Sequence, residues 1–284
     1  MIYENIIFCN NFRNGDLHYS REYVKDIMMK IKSDKYYYAI NKTRTNEKVL
    51  KDLDINIIDF EPIHVESELY KIEGNNLYIN TWIGCYLGMY KKEIICDLKN
   101  LHDMFIIIYE KLNINIESIE YYIPMIDFNK VEKNHIDKFV FNTKKKILIS
   151  NGNVRSNQAS NINLKPLILE LSKYKDYIFI LTDDSDRLLV DNIFYTNDII
   201  KSDDCDLLEI SYLSTKCDII IGRSSGPYTY CMVKENFYNV DKLFIGISYN
   251  ERESIWFSDV LCKQYFIKDD RNINEWINKI QILL

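Results

Sequence analysis

Apolar residues recur along this chain in two rhythms. Short continuous runs at positions 6–9, 36–40, 55–60, 147–150, 177–181, 218–221 and 243–247 have the length of strands, and weaker ones stand at 77–82, 119–123, 193–195 and 265–267. Elsewhere the apolar positions fall three or four apart, as in Val24, Ile27, Met28 and Ile31, or Leu98, Leu101, Phe105, Ile108 and Leu112. That spacing puts one apolar stripe on a helix. The same rhythm predicts helices over 164–173, around Leu207, Ile210 and Leu213, and in a terminal segment with Trp276, Ile277 and Ile280. A charged stretch at 48–54 has room for a short helix, and a further segment covers 253–261. Strands alternating with helices imply parallel sheets. The alternation lapses over 127–146, which is charged and has little apolar period apart from 139–141. The expected organisation is therefore α/β, with two Rossmann-like domains at 1–126 and 147–284 joined by a linker region and facing a cleft.

Glycine sharpens this picture. The chain has only 8. Gly15, Gly152, Gly222 and Gly246 are each expected just after a strand, where an open α/β sheet brings its backbone close to a ligand. The fullest of these sites reads Gly222-Arg223-Ser224-Ser225-Gly226-Pro227 before a helix expected over 228–233. Ser225 and Gly226 suit the cap region and Pro227 the first helical position. Unpaired N–H groups at such a helix start favour phosphate. An ordinary strand-to-helix turn would use the same residues. Near the amino end, Gly15-Asp16-Leu17-His18 sets a carboxylate at the head of a helix, where Asp16 serves either as a general base or as a helix cap. His18 serves either as a base or as a residue that caps the helix, pairs with Asp16 or sits half-buried.

Composition removes several function classes. Of 284 residues, 47% are hydrophobic and 27% charged, the balance of a globular enzyme and not of a disordered chain. The formal charge of −6 gives no support to nucleic-acid binding. The 7 cysteines form no C-x-x-C pair, so neither a disulfide framework nor a zinc site is expected. No apolar run reaches the ~20 residues of a membrane helix, and the first residues lack a secretory pattern. The expected location is cytoplasmic, with peripheral membrane contact left open.

The Gly15-Asp16 pair after the first strand, and Gly222-x-Ser224-Ser225-Gly226 after a late one, resemble the ADP-heptose lipopolysaccharide heptosyltransferases and related GT-B glycosyltransferases. Phe244-Ile245-Gly246-Ile247-Ser248 and Trp256 match a later loop of that family loosely. The resemblance implies that Asp16 is the base, with His18 beside it. It implies a diphosphate loop at Ser224, Ser225 and Gly226, and a donor pocket lined by Ser150, Asn151 and Asn153, with Arg155 or Arg223 balancing phosphate charge. Ser224 stands where the family has an aspartate, and Thr229 where it has a histidine.

The expected function is a hexosyl- or heptosyltransferase-like enzyme. It would move a sugar from a nucleotide-sugar donor to a glycan or lipid-linked acceptor hydroxyl in cell-surface glycan synthesis. No metal or other cofactor is expected, although the spacing Asp184-Ser185-Asp186 is one that can hold a divalent cation. The rival readings are a nucleotide-sugar epimerase of the same fold and a nucleotide-sugar-binding protein without activity.

Overall fold

The computed structural model describes residues 3–61, 67–92, 97–116, 122–139, 143–154, 160–201, 205–223, 226–248 and 260–284. The chain divides into two compact units, Met1–Asp127 and Phe128–Leu284.

In the first unit the order is β1 (Tyr3–Asn10), α1 (Asn14–Lys30), β2 (Ser33–Ile40), β3 (Asn56–Asp59), β4 (Tyr70–Glu73), β5 (Asn76–Asn80), α2 (Ile83–Tyr90) and α3 (Asp97–Lys111). The sheet runs β3-β2-β1-β5-β4, parallel except for the β4–β5 pair. That pair is a tight hairpin, turned at Gly74-Asn75, with Gly74 at φ +60, a conformation that glycine adopts freely. The expectation of purely parallel pairing fails here, and so does the absence of an element at 83–90. Alternation along β1 sends Phe8 and Ile6 to one face and Ile7 and Cys9 to the other, where they pack with Ala39 and the half-buried Tyr37 and Tyr78. Helices α1 and α3 lock through Tyr23 and Phe105, whose rings stack at 4.3 Å.

The second unit contains α4 (Asn134–Phe139), β6 (Lys145–Ser150), α5 (Lys165–Leu171), β7 (Tyr177–Leu181), β8 (Ile193–Tyr195), α6 (Thr196–Ile199) and α7 (Leu207–Thr215). It continues through β9 (Ile219–Arg223), α8 (Gly226–Tyr230), α9 (Lys234–Phe237), β10 (Leu243–Ser248), β11 (Lys263–Lys268) and α10 (Ile273–Leu283). Helix α4 thus lies within the stretch read as a linker. The sheet order is β11-β10-β9-β6-β7-β8, with every pair parallel. Counted from β6, that is 3-2-1-4-5-6, the doubly wound nucleotide-binding order. Ile147, Ile149, Phe179, Ile221 and Ile245 project to one face, against Leu167 and Leu171 of α5 and the buried Trp276 of α10. On the opposite face, Phe244 meets Tyr228 of α8 and Phe237 of α9.

Gly222 and Gly246, expected in loops, lie inside β9 and β10 and face each other in register. A Cβ on Gly222 would come within 2.7 Å of the Tyr228 ring, and one on Gly246 within 2.4 Å of Phe266. Their role is close packing. The bare strand surface lets α8 sit down on the sheet.

Candidate functional site

An open α/β sheet binds ligands beyond the carboxyl ends of its strands, at the point where strand order reverses. In the second unit that point lies between β6 and β9, and the residues there are Ser150, Asn151 and Gly152 on one side and Arg223 on the other. Ser150 is buried beside Gly222, Asn151 and Gly152 are half-buried, and Asn153 is exposed. The loop after β6 is tied down at several points. Asn151 makes a two-way clamp to the backbone of Asp183 beyond β7, giving and receiving bonds of 2.9 Å. Asn161 closes the loop on itself by accepting from Val154 N–H at 2.7 Å and donating to Val154 O at 3.1 Å.

Arg223 is 1% exposed and reaches both arms of this loop. Its Nη2 donates to the carbonyls of Asn151 (3.0 Å) and Gly152 (2.5 Å), and its Nη1 to those of Ser160 (2.8 Å) and Ile162 (3.3 Å). Burial pulls the guanidinium below its ordinary range, and the carboxylate of Asp269 opposes that shift. Arginine stays charged in proteins regardless. The resemblance gave Arg223 a direct role against phosphate, but here its two terminal nitrogens are committed to backbone carbonyls. Beyond β11, Asp269 accepts from Ser160 N–H at 2.6 Å and from Ser160 Oγ at 2.8 and 2.7 Å. The Ser160 peptide thus stands between a buried cation and a buried anion.

The diphosphate loop is described only in part, because Ser224 and Ser225 lie outside the described residues, as do Arg155 and Trp256. Gly226 opens α8, which is five residues long and ends at Tyr230, short of the helix expected over 228–233. Of the D-x-D spacing, Asp184 pairs with Arg187 at 2.9 Å, which holds its carboxyl below the usual range, and Asp186 pairs with Lys165 at 2.9 Å. No group of three or more metal-ligating side chains occurs among the described residues.

In the first unit, Asp16 lies inside the first turn of α1, half-buried, with Arg13 as the N-cap residue. The capping reading of Asp16 is corrected accordingly. A carboxylate in that turn is favoured by the helix dipole. His18 is fully buried, 0% exposed, because it falls on the side of α1 that carries Leu17 and Arg21 into the interior. That burial does not favour the reading of His18 as a base. Under the loop runs a column of neutral polar groups. Ser20 Oγ donates to Asp16 O (2.8 Å) and meets Tyr38 Oη (3.0 Å), which meets Thr81 Oγ1 (2.8 Å), which in turn accepts from Asn10 Nδ2 (3.2 Å). Burial pushes the Tyr38 phenol up, so the column stays uncharged. Asn10 Oδ1 also receives Phe12 N–H at 2.8 Å, fixing the chain where it leaves β1 for α1.

No protein-family model and no curated protein sequence matches the chain. Solved structures do. A family 9 glycosyl transferase from Veillonella parvula aligns over 98% of this chain and 90% of its own, at TM-score 0.57 and 11% identity. The fold is that of the GT-B glycosyltransferases. The E. coli heptosyltransferase WaaC, in a structure with ADP, aligns over 98% of both chains at TM-score 0.54 and 7% identity. The iron-containing dodecameric glycosyltransferase TibC of enterotoxigenic E. coli aligns over 92% of this chain and 62% of its own, at TM-score 0.53 and 10% identity. The distant resemblance read from the loops therefore holds as a likeness of fold. No helix among the described residues is long and apolar enough to cross a membrane.

Sequence reasoning missed Asp269, Ser160 and Asn161. The one signal available was a carboxylate directly after the last strand, and it reads equally well as part of an acidic turn.

Proposed function

We propose that this protein is a glycosyltransferase that moves a sugar from a nucleotide-sugar donor to a glycan or lipid-linked acceptor hydroxyl, working in the cytoplasm on cell-surface glycan synthesis. The observation that carries the proposal is a fold shared with glycosyltransferases over nearly the whole chain, combined with a doubly wound second unit whose reversal point is lined by a tied-down polar loop. The donor nucleotide and its diphosphate bind at the carboxyl ends of β6 and β9, near Ser150, Asn151, Asn153 and Gly226. Ser224, Ser225 and Arg155 share this role by their place in the motif.

The Asp16 carboxylate takes the proton of the acceptor hydroxyl as that oxygen attacks the anomeric carbon. The bond from that carbon to the diphosphate breaks, and its electrons leave with the nucleotide. Donors fixed in advance around the leaving diphosphate stabilise the charge that develops, the role that usually contributes most to rate. The proposal assigns no cation to this step, and turnover is expected to persist in EDTA. Loss in EDTA with recovery on adding Mn²⁺ would move the reading to Asp184 and Asp186.

The test is to incubate the protein with a panel of nucleotide sugars, with and without cell-surface glycan extract, and to measure released nucleotide. Release that requires the extract supports the proposal. Conversion of the donor sugar without extract would instead indicate an epimerase, and binding without turnover a non-catalytic binder.

A further inference from the structure

Helix α2 follows β5 with the sequence Ile83-Gly84-Cys85-Tyr86-Leu87-Gly88-Met89-Tyr90, in which no side chain is charged. A helix apolar on every side belongs in a core or in lipid. This one is buried on one side only. Cys85 and Tyr86 turn inward, while Ile83 and Leu87, one turn apart on the other side, are half-buried. The last turn is open, with Gly88 exposed, Met89 46% exposed and Tyr90 43%. Lys91 and Lys92 follow, both exposed, and neither is in an ion pair among the described residues. Lys91 ends the helix in the left-handed region, at φ +49, and the N–H groups of both lysines donate to Leu87 O. Glycine would hold that position at less backbone cost, which points to a use for the charge. The charges around α2 are sorted. The carboxylates of Glu68 and Asp103 reach its buried residues, where they add to burial in raising the Cys85 thiol and the Tyr86 phenol, and the two cations stand at the open end.

We propose that the last turn of α2, with Lys91 and Lys92, docks on a membrane surface that carries anionic lipids. An exposed apolar turn with a basic pair directly behind it has the make-up of a surface anchor. Tyrosine and methionine enter the headgroup boundary, and the lysine stems lie along the apolar surface with their ammonium groups among anionic headgroups. A protein partner fits this turn less well, because interface cores are depleted in lysine and the turn offers too few side chains for a patch of standard size. Docking of this kind is reversible, since one turn buries far less than a spanning helix. It does not depend on the glycosyltransferase reading, and a chain that docks and transfers nothing would keep it. Within that reading it favours a lipid-linked acceptor over a soluble one. Trp82, the N-cap residue of α2, stacks on Phe12 at 5.4 Å, and Phe12 stands in the turn that leads from β1 to Asp16.

The experiment is cosedimentation of the full chain with vesicles of phosphatidylglycerol and phosphatidylethanolamine in equal parts, and with vesicles of phosphatidylcholine alone. The wild type should partition to the anionic vesicles about tenfold or more strongly than to the neutral ones, and should be released by about 0.5 M NaCl. Lys91→Asn with Lys92→Gln keeps the left-handed turn, which asparagine accepts, and should remove most of that preference. Met89→Ser with Tyr90→Ser changes only exposed positions and should lower partitioning to the anionic vesicles by about tenfold. Neither pair should move the melting temperature by more than about 2 °C, so a loss of binding reports on the surface and not on the fold. Should one pair fail to fold, the other decides alone. A wild type that ignores the vesicles or takes both kinds equally, or binding that a folded variant pair leaves intact, overturns the inference. A concentration-dependent dimer in sedimentation velocity that Met89→Ser with Tyr90→Ser abolishes would assign the turn to a second copy of the chain and overturn it as well.

Discussion

Each unit buries an arginine completely, and the two are aimed at different things. Arg21 of α1 is 0% exposed and sets Nη1 against both carboxylate oxygens of Asp52, at 2.6 and 2.5 Å, while Nη2 donates to Val49 O at 3.0 Å. Its charge is neutralised on the spot, and the result is a staple between α1 and the 3-10 turn at Glu47–Leu50. Arg223 makes no ion pair among the described residues. It spreads its donors over four backbone carbonyls, and its acidic counterpart Asp269 acts through the Ser160 peptide. A cation treated this way costs more desolvation than a paired one. What it provides is an oriented backbone at the carboxyl end of the sheet, with the Asp269 carboxylate offsetting part of its charge. The first unit supports the turn that carries Asp16 with neutral hydroxyls and amides instead.

The largest break in this comparison is expected at the staple. Asp52→Ala leaves the Arg21 charge buried and unpaired, and should cost about 3–5 kcal/mol of stability by denaturant titration. Adding Arg21→Met should recover most of that loss, since the pair serves the scaffold. A single variant as stable as the wild type would mean that the staple holds nothing.

The next largest effect separates a packing glycine from the glycine of the proposed donor loop. Gly246→Ala drives a methyl against Phe266 and should lower stability by about 1–3 kcal/mol. Gly226→Ala meets only Leu207, at 3.8 Å, and should stay within about 0.5 kcal/mol. Equal losses in thermal unfolding would erase the distinction.

The smallest effect is a titration. His102 is buried, with Nδ1 3.1 Å from Tyr23 Oη, and burial lowers its pKa below 6.5. Between the folded and unfolded pKa values the unfolded chain holds more protons, so stability falls as the pH drops through 6.5 and the penalty is complete below the folded value. His102→Gln should flatten that slope in urea titrations at pH 7 and pH 5. An unchanged slope would place its origin elsewhere.

What the sequence made legible follows from the same physics. Strands β6, β7, β9 and β10 are buried on both faces and so appear as unbroken apolar runs. Of the β4–β5 hairpin, β5 falls in the run read at 77–82, and β4 escaped because Tyr70-Lys71-Ile72-Glu73 offers only two apolar positions, although Gly74-Asn75 was a usable turn signal. Helix α2 escaped because Gly84 and Gly88 read as loop residues. Gly84 instead accommodates the ring of Trp82, to which a Cβ there would come within 2.4 Å. The loops beyond β1, β6 and β9 were legible as candidate sites because glycine, asparagine and serine cluster after apolar runs. The Arg223–Ser160–Asp269 arrangement was not. It joins residues 63 and 109 positions apart, and charged side chains in a sequence look like surface until the fold buries them.

The central claim is a division of labour, with donor binding on the second unit and proton removal on the first. Asp16→Asn addresses it most directly. Replacing a half-buried carboxylate in the first turn of α1 costs about 1–2 kcal/mol of dipole interaction, so the variant should fold. The measurement is donor affinity and transfer rate on the same preparation. The account predicts donor affinity within about twofold of wild type and transfer reduced by about 100-fold or more, the size of a general-base contribution. Transfer at the wild-type rate, or a loss of donor binding equal to the loss of rate, would contradict it.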